Sequence, residues 1–211
     1  MIMSTISGTM IYTVGHSTHT IEKFLAVLET NEITAIADVR SRPFSRYNPQ
    51  FNKDALATAL KAAGIAYVFV GKELGARSDD PTCYENGQVQ YDRLARTSLF
   101  RSGIERVLKG TSQYRLAVMC AEKEPLDCHR TLLVARALER EGVQIRHILA
   151  DGRFEDQDQT MSRLLEIVNL PQMDMFRTRD QLVDEACRLQ ERKIAYIDDA
   201  LYREGTEGLR A

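Results

Sequence analysis

Apolar residues in this chain fall into short, dense runs separated by longer stretches where they recur every three or four positions. The dense runs are IYTVG from Ile11, TAIADV from Thr34, YVFV from Tyr67, RLAVMC from Arg115 and IRHIL from Ile145. Each is short and rich in β-branched or aromatic residues, and several are nearly continuous. That is the pattern of strands covered on both faces. Between the runs, Ile21, Phe24, Leu25 and Leu28 follow i, i+3, i+4, i+7 spacing and predict a helix over residues 20–29. Further helices are expected over 54–63, closed by Gly64, over 91–108, stopped at Gly110, and over 126–141, stopped at Gly142. Strand and helix alternate, so the expected fold is α/β: a mostly parallel sheet of about five strands with helices on both faces.

After Asp151 the rhythm changes. Residues 155–168 read as a fifth helix, Pro171 breaks the chain after it, and 179–192 and 193–203 read as charged helices with few strand signals. The expected organisation is an α/β domain over 10–168 and a C-terminal helical extension over 171–211. That extension is expected to pack on the domain edge or to serve self-association into a homo-oligomer.

Composition narrows the function classes. With 211 residues, 44% hydrophobic and 27% charged, the chain can bury a sizeable core. Its 28 Lys and Arg against 30 Asp and Glu leave a formal net charge of −2, which argues against a general nucleic-acid coat or a polybasic membrane surface. A local basic site survives that average. Four cysteines are too few for a disulfide scaffold in a chain this long. MIMSTISGTM lacks the features of a secretory signal, and no run approaches the ~18 apolar residues of a membrane helix. A reducing cytoplasm is the expected location.

Chemistry concentrates where the predicted strands end, the edge at which open parallel sheets bind ligands. The first strand exits into His16, and the second into Asp38, Arg40 and Arg42. The third is followed by Lys72 and Arg77, the fourth by Cys120 and Glu122, and the fifth by Asp151 and Arg153. Loops are polar in any protein, but five such exits on one edge favour a single cleft. The stretch from Val39 to Lys53 is the sharpest: Arg40, Arg42, Arg46 and Lys53, no acid, the aromatics Phe44, Tyr47 and Phe51, and two of the five prolines. Guanidinium groups suit phosphate or carboxylate, and neighbouring aromatic rings can stack on a base or sugar. Anion binding is expected of Arg40 at the strand end. For Arg46 and Lys53 a solvated surface role has equal standing.

The second constellation, Cys120-Ala-Glu-Lys-Glu-Pro-Leu-Asp-Cys128-His129-Arg130, bridges the fourth strand and the next helix. A thiol at a helix start sits in positive potential, and backbone donors with Arg130 can cradle an anion. Three readings stay open. Cys120 or Cys128 is a nucleophile with His129 or His16 as base; Cys120, Cys128, His129 and perhaps His16 hold a metal, although seven residues between the cysteines match no standard zinc spacing; or the group is mainly a phosphate clamp. Against these stands Cys120 as a buried thiol ending a core strand. A cysteine phosphatase is excluded, because the positions six beyond Cys83, Cys120, Cys128 and Cys187 are Val89, Leu126, Val134 and Lys193, never Arg. No Walker loop, G-x-G-x-x-G or H-E-x-x-H occurs. His147, inside a strand, reads as a core histidine, and His19 as a residue at a helix start.

YTVGHST from Tyr12, DVRSRPFSRYNPQFN from Asp38, KELGAR from Lys72 and CAEKEPLDCHR from Cys120 together resemble the domain of unknown function 488 family over residues 10–165. The resemblance implies an α/β domain and no established activity. The family's recurrent positions match here at His16, Asp38, Arg40, Arg42, Pro43, Phe51, Leu74, Gly75, Cys120, Glu122, Pro125, Cys128, His129 and Arg130. The expected function is an enzyme, hydrolase or transferase, acting on a phosphate-bearing or nucleotide-like substrate. Arg40, Arg42 and Arg130, with Lys72 and Arg46, would hold the anion. Asp38 or Glu122 would act as acid or base, and Cys120 or Cys128 as nucleophile or ligand. The alternatives are a non-catalytic nucleic-acid or nucleotide binding module and a Cys/His metal-binding protein.

Overall fold

In the sequence MIYTVG, five consecutive residues are buried, and they form β1 (Met10–Gly15) of a computed structural model that describes residues 8–202. The chain continues through α1 (Ile21–Thr30), β2 (Ala35–Asp38), α2 (Lys53–Ala62), β3 (Ala66–Phe69) and a single turn, α3 (Gly71–Leu74). A small hairpin of β4 (Tyr84–Glu85) and β5 (Gln88–Val89) precedes α4 (Tyr91–Ala95), α5 (Ser98–Gly110) and β6 (Leu116–Cys120). Next come α6 (Arg136–Arg140), β7 (Gln144–Ile148), β8 (Phe154–Asp156), α7 (Gln157–Ile167) and α8 (Arg179–Ile194).

Six strands make one sheet in the order β3-β2-β6-β1-β7-β8. All neighbours are parallel except β8, which returns antiparallel to β7. Side chains alternate across β6, so each face of the sheet receives its own apolar layer. Ala117 and Met119 meet Phe24 and Leu28 of α1 and Leu56 and Leu60 of α2. Val118 and Cys120 point the other way, into the cluster holding Phe100, Leu133, Leu164 and Leu182. The α/β architecture with helices on both faces is therefore as the hydrophobic pattern predicts. Among the described residues, no helix is long and apolar enough to cross a membrane.

Several boundaries differ from the expectation, each for a local reason. Glu155 lies in β8 rather than in a helix. Gly152, at φ +85°, turns the chain back on itself, and the helix begins at Gln157, where Asp156 and Gln159 form a capping box. The helix expected over 91–108 is two helices, because Thr97 leaves the helical conformation and caps Phe100 N with its hydroxyl. Residues 126–141 are not one helix either: a 3₁₀ turn (Pro125–Asp127), a π-helical turn (Arg130–Ala135) and α6 succeed one another. At the C-terminus, the helix expected over 193–203 is broken at Ala195, whose backbone is extended, and Ile197 bridges to Gln88. Helix resumes at 199–202, and Arg203 lies outside the described residues. Leu182, Val183, Ala186 and Cys187 of α8 belong to the same apolar cluster as β6.

Candidate functional site

The carboxyl ends of β1, β2 and β6 lie side by side, with Gly15 level with Cys120 and Asp38 level with Met119. The ladder runs past the strand ends: His16 N donates to Cys120 O at 3.0 Å, Ser17 N to Ala121 O at 2.9 Å and Val39 N to Met119 O at 3.0 Å. The loops leaving these three strands are therefore held against one another from their first residues.

At the end of β2, Arg40 folds back onto Asp38. Its Nε donates to Asp38 Oδ1 at 2.9 Å and its Nη2 to Oδ2 at 2.7 Å. Nη1 donates to Phe51 O at 2.8 Å and reaches His16 Nε2 at 3.2 Å. Tyr67 adds a hydroxyl donor to Asp38 Oδ2 at 2.8 Å. His16 stacks on Phe51, with centroids 4.1 Å apart, and its Nδ1 lies 2.8 Å from Ser17 O. In that geometry Nδ1 donates and Nε2 accepts from the guanidinium, so the ring is neutral. Burial, joined by the Arg40 charge, lowers its pKa to about 4. Asp38, Arg40 and His16 thus form a closed buried network, in which bidentate pairing fixes the start of the basic loop.

The Cys/His cluster hangs from the end of β6. Glu124 accepts from Leu126 N and caps the 3₁₀ turn, after which Cys128 is extended and His129 is helical. Cys128 leads into the next helical turn: its carbonyl accepts from Thr131 N and Leu132 N, and its Sγ lies 3.4 Å from Arg130 N. The His129 ring is aimed by its Nε2, which donates to Val39 O at 3.1 Å. Its Nδ1 then faces both sulfurs, 3.6 Å from Cys120 Sγ and 3.9 Å from Cys128 Sγ. Glu122 keeps an exposed flank while its Oε2 turns inward to 3.0 Å from Cys128 Sγ. All four cysteines are free thiols.

Electrostatics divide the two thiols. Burial pushes the Cys120 thiol well up, reinforced by Cys128 and Glu122. Burial opposes ionisation of Cys128 as well, but the Cys120 bond, the Arg130 charge and the His129 ring outweigh it and bring Cys128 down. The Glu122 carboxyl is raised, by burial first and then by the Cys128 sulfur. Arg130 is fully buried and spans the loop, donating Nη1 to Glu122 O at 2.6 Å and Nη2 to Lys123 O at 3.3 Å, while its Nε has no partner among the described residues.

Above the cluster opens a pocket of about 250 Å³ whose lining includes Arg42, Arg77, Tyr91, Tyr196, Cys128 and His129. The expectation that Arg40, Arg42 and Arg130 hold an anion together meets a different arrangement. Arg40 and Arg42 both border the pocket, but Arg40's charge is met by Asp38 and Arg130 lies behind the loop. Exposed Arg42 and Arg77 have no carboxylate partner among the described residues, and Arg77 lies over the Tyr196 ring at 4.2 Å. Cys120, Glu122, Cys128 and His129 come together as expected. Asp38 and His16 stand behind Arg40. Lys72 lines an adjacent hollow of about 680 Å³, and Arg46 is exposed on the outer loop. Tyr91 and Tyr196 were not singled out by sequence. Tyr196 arrives from the extended segment after α8, which carries no motif. His147 is the core histidine expected, bonded to Thr13 Oγ1 and Gln157 Oε1 at 2.7 Å each.

Fold and site define an α/β protein with a buried Cys/His cluster at the carboxyl edge of a parallel sheet. The family model described as Domain of unknown function DUF488 matches residues 20–137, more than half of the chain, and the chain belongs to that family. The matched span contains the Arg40 loop and the whole Cys/His cluster, but not His16. No curated protein and no solved structure matches the chain.

Proposed function

We propose that the protein is an enzyme acting on a phosphate-bearing, nucleotide-like substrate, by hydrolysis or group transfer. The observation that carries this reading is the pairing, in one pocket, of two guanidiniums without a carboxylate partner among the described residues and a Cys/His/Glu cluster. Arg42 and Arg77 supply donors of the planar kind that phosphate oxygens accept. Cys120, Cys128, His129 and Glu122 form the reactive cluster beneath them, and the Asp38–Arg40–His16 network positions the loop. The pocket and the adjacent hollow share Ser41, Arg42, Arg77 and Tyr196, so a molecule with a phosphate and a further ring has room to span both.

Calorimetric titration of the full chain with nucleoside mono- and diphosphates, followed by assay of phosphate or base release, tests the proposal. Binding that weakens about tenfold with each of Arg42→Ala and Arg77→Ala, and falls with added salt, is the expected result. Unchanged binding in the double variant would sink it. A second reading, a non-catalytic nucleic-acid binding module, draws on Phe44 and Tyr47, which stand 68% and 95% exposed beside Arg46 on the acid-free loop. It predicts binding of single-stranded oligonucleotides that survives replacement of both Cys120 and Cys128.

A further inference from the structure

We propose that Cys120, Cys128 and His129 bind a zinc ion through Sγ, Sγ and Nδ1, leaving its fourth position open toward the pocket. The three donor atoms lie within 4.8 Å of one another. A tetrahedral zinc with Zn–S near 2.3 Å and Zn–N near 2.0–2.1 Å separates its sulfur and nitrogen ligands by about 3.6 Å. The observed separations from His129 Nδ1 are 3.6 and 3.9 Å. Near-equal reach from one nitrogen to two sulfurs is what ligands around a common centre show. An isolated thiol–imidazole pair needs only one such contact.

The support around the donors points the same way. A zinc-bound histidine characteristically donates its other ring N–H to a carbonyl or carboxylate, which fixes the tautomer and the ring direction. His129 does this through Nε2 to Val39 O at 3.1 Å, across 90 residues of sequence. Arg130 N, 3.4 Å from Cys128 Sγ, offers the backbone donor that a metal-bound thiolate accepts. All three ligands are buried, and two soft sulfurs with an imidazole suit zinc rather than magnesium or calcium. Seven residues between the cysteines match no standard zinc spacing, but the spacing rule describes ligands on one local loop. Here β6 brings one sulfur from the sheet, and the change from extended Cys128 to helical His129 turns two adjacent residues onto one point. Three protein ligands, with Glu122 beside the open side, is the arrangement of a reactive rather than a purely structural zinc. Loading is balanced by proton release: Zn²⁺ replaces the protons of two thiols, two H⁺ pass to solvent, and no redox change occurs.

The inference rests on the pocket of the proposed function, but its readout does not depend on any substrate. Full-length protein, expressed with added zinc and purified without chelator or a metal column, is analysed by mass spectrometry of its elements. One zinc per chain is expected, and Cys120→Ser and Cys128→Ser each reduce the content at least severalfold while retaining the wild-type circular dichroism. Should either variant fail to fold, wild-type protein stripped by chelator and reloaded with Co²⁺ decides the question through the near-ultraviolet thiolate-to-cobalt absorption. Metal-free wild type without that absorption overturns the proposal, as does full zinc content in a folded double serine variant. The Arg42→Ala and Arg77→Ala proteins keep their zinc whether or not they bind phosphate, so failure of one proposal is separable from failure of the other.

Discussion

Gly15 shows how tightly the site is built at the level of single residues. A Cβ there would stand 1.8 Å from Glu122 O and 3.1 Å from Arg130 Nη1, so the end of β1 and the loop after β6 touch backbone to backbone. Gly15→Ala is expected to cost about 3 kcal/mol or more, the range of severe single substitutions, measured by urea denaturation. His147 sets a second expectation. Burial first, with the Arg130 and Arg163 charges, holds its pKa at about 4 against the Gln157 bond and the Glu155 charge, while 6.5 is the ordinary value. The unfolded chain then binds the extra proton, so this contribution is complete above pH 6.5 and is lost as pH falls toward 4. His147→Gln should flatten the pH dependence of stability across that window by an amount on the order of 3 kcal/mol. The ingredients of the site were legible at this scale, because Cys120, Glu122, Cys128 and His129 sit in one short stretch. The use of Arg40 was not: a strand-exit guanidinium reads as an anion holder until its own Asp38, two positions back, is seen to take its Nε and Nη2 while Phe51 O takes its Nη1.

Elements were legible where periodicity ran long. The five parallel strands and α1 and α2 follow the hydrophobic pattern to within a residue or two, since short apolar runs rich in β-branched and aromatic residues are too brief for helices. Misplacements fall where one residue redirects the chain. Three residues, Phe154–Asp156, are too few to show a strand period, and only pairing with β7 makes them β8. A hydroxyl at Thr97 divides one apolar stripe between two helices. α8 reads from sequence as a charged helix outside the sheet, yet its Leu182 is fully buried in the large apolar cluster. Gln190 of the same helix donates to Leu126 O and Asp127 Oδ1, each at 3.2 Å, just ahead of Cys128. Leu182→Ala should therefore cost about 2–5 kcal/mol, as truncations in a packed core do, with a thermal unfolding midpoint lowered to match. A change below about 0.5 kcal/mol would place α8 outside the cooperative core.

For the molecule as a whole, the net charge of −2 conceals a division of labour. Many arginines outside the basic loop are matched by carboxylates, as with Arg163 against Glu124 and Glu155 or Arg177 against Asp174 and Glu185, while Arg42 and Arg77 at the pocket have none among the described residues. Binding of an anion there should accordingly be strongly salt-dependent even in an acidic protein. The order of the sheet carries a different consequence, one that concerns time. β1 pairs with β6 and β7, and β2 with β3 and β6, so β1 and β2, the first two strands among the described residues, do not pair with each other. The strand that joins them, Leu116–Cys120, lies far beyond β2 (Ala35–Asp38) in the chain and is made only after β3, α4 and α5. Until then β1 has no partner and the β2–β3 pair has an open edge where β6 belongs, an arrangement that slows folding and invites pairing with the wrong chain. The last residue of that keystone strand is Cys120, so β1 and β2 are joined and the cluster receives its first sulfur in the same event.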